Sequence, residues 1–241
     1  MLVKDQARTR EEERIAAVYA RRAAPAVRSR YSFFNHGHLL AIQDRQRRTL
    51  RVLRREGFQP LEDKRILEVG CGDGHWIRDL IQWGARPKNL SGVDLLPDSI
   101  AEAEALCPAG VTLRCASAAD LDFPDGSFDV VLQSTMFTSI LDGHLKRRIA
   151  AEMFRVLKPD GMILWYDFRV NNPRNPDVRG VKRKEIRELF AGCHVRLKPI
   201  TLAPPIARRL AKHCWLLCCL LERMPFLCTH YLGAIRKGTG D

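Results

Sequence analysis

The sequence predicts an α/β fold, doubly wound around a largely parallel sheet, and three observations carry that reading. Arg65-Ile66-Leu67-Glu68-Val69 is an apolar run of strand length. It leads through Gly70-Cys71-Gly72-Asp73-Gly74 into Trp76, Ile77, Leu80 and Ile81, which are spaced as one face of a helix. A second strand-like run, Leu90-Ser91-Gly92-Val93-Asp94-Leu95, follows and places an acid about 20 residues past the glycines, as doubly wound folds do. Downstream, short apolar runs keep alternating with helical periods, which is the pattern of strand–helix–strand units.

Taken in order, residues 1 to 22 read as a charged helix. Glu11-Glu12-Glu13-Arg14 and Arg21-Arg22 enclose a small apolar set, Ile15, Val18 and Tyr19, and Pro25 interrupts it. Tyr31-Ser32-Phe33-Phe34-Asn35-His36-Gly37-His38 is dense in aromatics and imidazoles. The helix expected over 39–55 buries Leu39, Ile42, Leu50 and Leu53 and exposes Arg45, Arg47, Arg48, Arg51, Arg54 and Arg55.

At the glycine run, three glycines at alternate positions permit positive φ and a close approach of a ligand to the backbone. The helix start beyond them offers unpaired N–H groups and a positive dipole end. Alone, such a run fits a nucleotide loop or a tight turn. Asp94, where a doubly wound fold puts the acid that takes a ribose hydroxyl pair, favours the nucleotide.

The helix over 76–83 stops at Gly84, and Pro97-Asp98 opens another through 105. Strands are expected at 111–115 and 128–133. Gln133-Ser134-Thr135-Met136-Phe137 then lies at the carboxyl end of the fourth strand, where open α/β sheets bind ligands. A helix over 145–157 and a strand over 162–168 follow. Residues 167–183 form a long polar loop whose Arg169, Arg174, Arg179, Lys182 and Arg183 suit an anionic acceptor or simply solvent. A helix over 182–190, a strand over 194–200, a helix over 205–222 and a strand over 231–236 complete the chain. In the 205–222 helix, Arg208, Arg209 and Lys212 precede the apolar run 215–221. Core packing is the expectation there, and peripheral membrane contact the other reading.

Four motifs in order, Glu68-Val69-Gly70-Cys71-Gly72-Asp73-Gly74, Gly92-Val93-Asp94, Phe123-Pro124-Asp125-Gly126-Ser127-Phe128-Asp129-Val130-Val131 and Arg155-Val156-Leu157-Lys158-Pro159-Asp160-Gly161, resemble those of the class I S-adenosylmethionine (SAM)-dependent methyltransferases. The likeness covers residues 64–168. It implies a Rossmann-like seven-stranded sheet of order 3-2-1-4-5-7-6 with the last strand antiparallel. It also implies an N-terminal helical cap or lid over 1–60, and a SAM-binding domain with substrate-side elements over 61–241.

By the same resemblance, SAM, leaving as S-adenosylhomocysteine, is expected on Glu68, Gly70, Cys71, Gly72, Gly74, Asp94, Leu95, Ser117, Ala118, Ala119, Gln133 and Ser134. Many members carry an acid where Ser117 stands, so the hold on the adenine is expected to be weaker here. The Asn-Pro-Pro-Tyr motif of nitrogen methylases that act on bases is replaced by Gln133-Ser134-Thr135-Met136, which weighs against nucleobase methylation.

The chain of 241 residues carries a net charge of +12, unevenly spread: +8 over 1–65, −6 over 66–168 and +10 over 169–241. Basic flanks around an acidic core admit an anionic small molecule, an anionic membrane surface or nucleic acid. No RNA-binding module is visible, so nucleic acid is not expected. The eight cysteines are scattered and no secretory pattern opens the sequence, so reduced thiols in a cytoplasmic protein are expected. His213, Cys214, Cys218, Cys219, Cys228 and His230 lack a paired Cys-x-x-Cys frame, and no metal is expected.

A sulfonium methyl is already activated, so alignment and water exclusion do most of the work, and only an alcohol or carbon acceptor needs a base. Candidate bases are His36, His38, Asp142, His144 and Asp167. Tyr31, Phe34, Phe137, Arg174 and Arg179 are the candidate acceptor contacts. The expected function is methyl transfer to a small molecule of lipid, sugar or secondary metabolism. An RNA or protein acceptor, or SAM binding without catalysis, stays open. A nicotinamide enzyme is disfavoured because the run is Gly-x-Gly-x-Gly rather than Gly-x-Gly-x-x-Gly.

Overall fold

The structure is a computed structural model that describes residues 9–22, 32–173 and 175–238. Its centre is a seven-stranded sheet: β1 (Ile66–Val69), β2 (Leu90–Asp94), β3 (Thr112–Cys115), β4 (Phe128–Ser134), β5 (Leu157–Phe168), β6 (Cys193–Leu202) and β7 (Cys228–Lys237). The order is β3-β2-β1-β4-β5-β7-β6, with β7 antiparallel to both neighbours and the first five strands parallel. This is the expected topology.

The strand period of two sorts the core into two layers. Leu67, Val131, Ile163 and Trp165 point to one face, against α5 (Gly143–Val156) and α6 (Arg183–Leu189). Ile66, Val130, Leu132, Met162 and Leu164 point to the other, against α2 (His36–Arg55), α3 (His75–Gln82) and α4 (Pro97–Leu106). Each fully buried Leu, Ile or Val contributes about 1.5–3 kcal/mol, so these two layers dominate the stability. β1 is buried throughout, as a central parallel strand covered on both faces must be.

Helix α2 departs from expectation in its rotation. Leu50 is exposed and Leu39 and Ile42 are half-buried, whereas Leu40, Thr49, Val52 and Leu53 are buried together with Asp44 and Arg45. Arg45 goes inside because its guanidinium lies 4.5 Å over the Trp76 ring and 3.4 Å from Asp79. Asn35 caps the helix, accepting from the Gly37 and His38 N–H groups.

The single helix expected over 205–222 is two, α7 (Pro204–Leu210) and α8 (Trp215–Leu221), with Cys214 capping the second. The break lets Ala207, Ala211 and Cys218 converge on Leu40 and Leu202 in a small third cluster. It also leaves Leu216, Leu217 and Leu220 in solvent, so core packing accounts for only one side of this segment. Among the described residues no helix is long and apolar enough to cross a membrane.

Candidate active site

A cavity of about 240 Å³ opens at the carboxyl ends of β1 to β4. Its floor is the glycine run. Gly70 and Cys71 both donate backbone N–H bonds to the Val93 carbonyl, at 2.7 and 3.0 Å, which ties the loop after β1 to β2. Gly70, Gly72 and Gly74 have φ of 74°, 53° and 74°. A Cβ on Gly70 would press on Met136, and one on Gly72 would project into open space. The loop therefore needs glycine for conformation at all three positions, and at Gly72 it offers bare backbone to a ligand. Asp94 closes the loop from β2, its carboxylate accepting from the Gly72 N–H and the Leu96 N–H, each at 2.9 Å. Burial raises its pKa against those backbone bonds.

Four carboxylates line the cavity, Glu12, Glu68, Asp73 and Asp94, and among the described residues the lining includes no Lys or Arg. Burial holds Glu68 well above the usual carboxylate range, and the charge of Asp73 adds to it. His75, paired with Asp73, holds the latter at about 2. Three buried polar atoms of the wall, Glu68 Oε2, His75 Nε2 and Trp76 Nε1, have no hydrogen-bond partner among the described residues. Such atoms call for a polar ligand or water. Thr135, also in the wall, has φ of 54°, an outlier for a β-branched residue, and such strain clusters at functional sites. The lining also includes the apolar side chains Ile15, Met136, Ile140, Leu145 and Ile149.

The roof is α1 (Arg10–Arg22), whose Glu12, Ile15 and Tyr19 reach the cavity. Thr9 and Glu12 form a reciprocal capping box at its start. Glu12 also accepts from the Ser117 hydroxyl. Burial pushes Glu12 up, but the bonds from Ser117 and Thr9 outweigh it and its pKa is lowered. Arg14 donates to the Ser139 carbonyl at 2.6 Å, and Glu11 accepts from the Leu141 N–H at 2.6 Å. An acid therefore does stand beside Ser117, supplied by the N-terminal helix.

Of the residues expected to hold the cofactor, Glu68, Gly70, Cys71, Gly72, Asp94, Leu95, Ser117, Ala118 and Ser134 line this cavity. Gly74, Ala119 and Gln133 do not. Gly74 is spent on the N-cap of α3 and packs on Cys107, and Ala119 is buried in the core. Gln133 turns inside, where its side chain braces the Met136 N–H and the Tyr166 carbonyl. Thr135 and Met136, two and three residues further on, take the place in the wall.

The catalytic and acceptor expectations fare differently. His144 is exposed on the first turn of α5, outside the cavity. His36 is exposed beside Arg208 and Lys212 in a separate shallow depression, together with Phe34, which is 95% exposed. His38 lies near Arg45 and His75, and burial followed by their charges lowers its pKa. Asp167 is buried, at about 6 through desolvation, and is occupied by the Thr138 hydroxyl and N–H. Phe137 packs in the core against Trp165, with ring centroids 4.8 Å apart. Arg179 is paired with Glu185 at 3.5 Å. Tyr31 and Arg174 lie outside the described residues. Among the wall residues not foreseen are Glu12, Tyr19, His75, Thr135 and Met136. Only Glu12 had a local signal, the Thr9-x-x-Glu12 spacing. Among the described residues no group of His, Cys, Asp or Glu is arranged to hold a metal ion.

The residues present fit SAM: an acidic, partly apolar cleft with unpartnered polar atoms suits a nucleoside bearing sulfonium and ammonium charges. Residues 66–161 match the family described as Methyltransferase domain. A 2-methyl-6-phytyl-1,4-hydroquinone methyltransferase of Synechocystis sp. is 33% identical over 52% of this chain and 38% of its own length. A fatty-acid O-methyltransferase of Mycolicibacterium smegmatis is 37% identical over 45% of this chain and 39% of its own. The chain thus spans about two fifths of the length of these curated relatives. A solved SAM-dependent methyltransferase from Mesorhizobium loti shares the fold with a TM-score of 0.55, at 19% identity, over 77% of this chain and 95% of that one. Motifs, sheet order and the matched model agree that residues 66–161 form a methyltransferase domain, with the fold of the class I SAM-dependent enzymes.

Proposed function

We propose that this protein transfers the methyl group of SAM to a small acceptor with an apolar body. The observation that carries it is the cavity itself, whose lining combines four acids and bare glycine backbone with the apolar side chains Ile15, Met136, Ile140, Leu145 and Ile149. Bound SAM supplies an activated methyl on a neutral leaving group. Asp94 and the Gly70–Gly74 loop hold and orient its nucleoside, Glu68 and Asp73 balance its positive charges, and Glu12 with Ser117 borders its base. Thr135, Met136 and Tyr19 set the path of the acceptor. α1 acts as the lid that excludes water, tied down by Arg14 and Glu11. His75, with its unpartnered buried Nε2, is the group placed to take a proton from an acceptor hydroxyl.

The basic flanks suggested an anionic acceptor, but among the described residues the cavity lining offers such a group four acids and no Lys or Arg. The two named relatives act on a phytylated hydroquinone and on fatty acids. Both names favour acceptors with long apolar bodies. The test is transfer of labelled methyl from SAM into a fractionated extract. Label in the organic-soluble fraction supports the proposal, whereas label in a nuclease- or protease-sensitive fraction moves the acceptor to RNA or protein. Failure to bind S-adenosylhomocysteine by calorimetry would sink the cofactor assignment itself.

A further inference from the structure

The connection between β6 and β7 leaves and re-enters the sheet at the same edge as the cavity. Leu202 ends β6 opposite Cys228, the start of β7, and β6 runs parallel to β5. This connection, residues 203–227, buries only a thin stripe against Leu40 and Leu202. Leu216, Leu217 and Leu220 share a helix face in solvent, with Leu216 71% exposed, and Met224 and Phe226 continue beyond it, Phe226 at 77%. Arg208, Arg209, Lys212 and Arg223 of the same segment are exposed, while its one acid, Glu222, is buried. The turn before α2 adds Phe33 and Phe34, 65% and 95% exposed. Phe34 shares its depression with Arg208 and Lys212. The contact there is close: a Cβ on Gly37 would come within 2.9 Å of the Arg208 nitrogen.

We propose that this face docks the protein on a bilayer surface bearing anionic headgroups. Single exposed apolar residues are ordinary, but large ones gathered on one sheet edge among cations, with no exposed acid in the segment, have the composition of an interfacial binding surface. The cations match anionic headgroups, and Leu, Met and Phe match the acyl boundary beneath them. A second copy of this chain is a poor occupant. Two-fold pairing brings the same patch onto itself, so Arg208, Arg209, Lys212 and Arg223 would meet their own kind. The cavity opens on the same edge, so docking sets it facing the compartment that holds apolar acceptors. Vesicle binding is read without cofactor or acceptor, so its outcome is separable from that of the methyl-transfer proposal.

The test is flotation of the full chain with vesicles of phosphatidylcholine alone and of phosphatidylcholine mixed with phosphatidylglycerol. Binding to the mixed vesicles is expected to be roughly tenfold tighter and to fall with salt. Arg208→Glu with Arg209→Glu should remove that preference. Leu216→Glu with Phe226→Glu should abolish binding while circular dichroism and S-adenosylhomocysteine affinity stay unchanged. Absence of vesicle binding, equal binding to both vesicle types, or variants that bind as the parent does would overturn the proposal. So would light scattering that shows a dimer split by Leu216→Glu with Phe226→Glu, because the face would then be a subunit interface.

Discussion

The two ends of one sheet edge are built in opposite ways. At the β1–β4 end the chain encloses a cleft, gathers Glu12, Glu68, Asp73 and Asp94 around it, and leaves three buried polar atoms without a partner among the described residues. At the β6–β7 end it encloses almost nothing, and sets large apolar side chains and four cations in water. The uneven charge of the sequence is therefore a spatial division, an acidic cleft beside a basic, greasy shelf. Enclosed acids suit a small cation held in fixed geometry, where low dielectric makes each charge count. An open surface of mixed cations and hydrophobes suits a broad, yielding partner whose contacts need no fixed register.

The largest effect is expected where the cleft is broken at its centre. Asp94→Ala should weaken S-adenosylhomocysteine binding by roughly 30- to 150-fold, about 2–3 kcal/mol, while leaving vesicle binding intact. Calorimetry and flotation on one sample separate the two ends. If both properties fall together, the division is false. Next, Glu12→Ala removes the capping box and the partner of Ser117. Tethering of α1 should drop by about 2 kcal/mol, seen as faster tryptic cleavage within residues 10–22 and weaker ligand binding.

A comparable effect in stability is expected at His230, which lies in β7, stacked on Tyr166 and tilted against Phe168. Burial, with Arg45 nearby, holds it at about 3, below its ordinary 6.5. The unfolded chain takes up this proton as pH falls through about 6.5, and the folded chain does so only near 3. Stability from this group is thus complete above 6.5 and is lost progressively toward 3. Between pH 7.5 and 5 the parent should lose ~2 kcal/mol to this group. His230→Phe should flatten that slope in urea titrations at the two pH values. The smallest effect is expected far from both ends. Lys184→Ala breaks only the exposed 3.9 Å pair with Glu188 and should change neither ligand binding nor flotation.

How far the site could be read from sequence follows the range of the interactions involved. The glycine loop and Asp94 were legible because the conformations of Gly70 and Gly72 and the end of β2 are local matters. Gln133 against Thr135 and Met136 was not, since it depends on which side of the turn after β4 faces the core. Arg45 was read as exposed because six arginines on one helix look alike until Trp76 offers one of them a ring to stack on. His144 was placed by its proximity to the end of the fourth strand and His36 by the aromatic stretch around it, and side-chain direction on the first turn of each helix sent both outward.

By itself the sequence determined the doubly wound sheet, the glycine loop and the acid that closes it. Strand period, helix period and glycine conformations act over a few residues and need no distant partner. Only the tertiary structure decided that the acid beside Ser117 is Glu12, which lies 105 residues away in the chain. It alone also decided which side of residues 203–227 is buried. Both depend on how far one element can be packed on another. α1 reaches across the cleft because Glu11 and Arg14 find the loop after β4, and α7 and α8 show their leucines to solvent because Leu40 and Leu202 cover only their inner stripe.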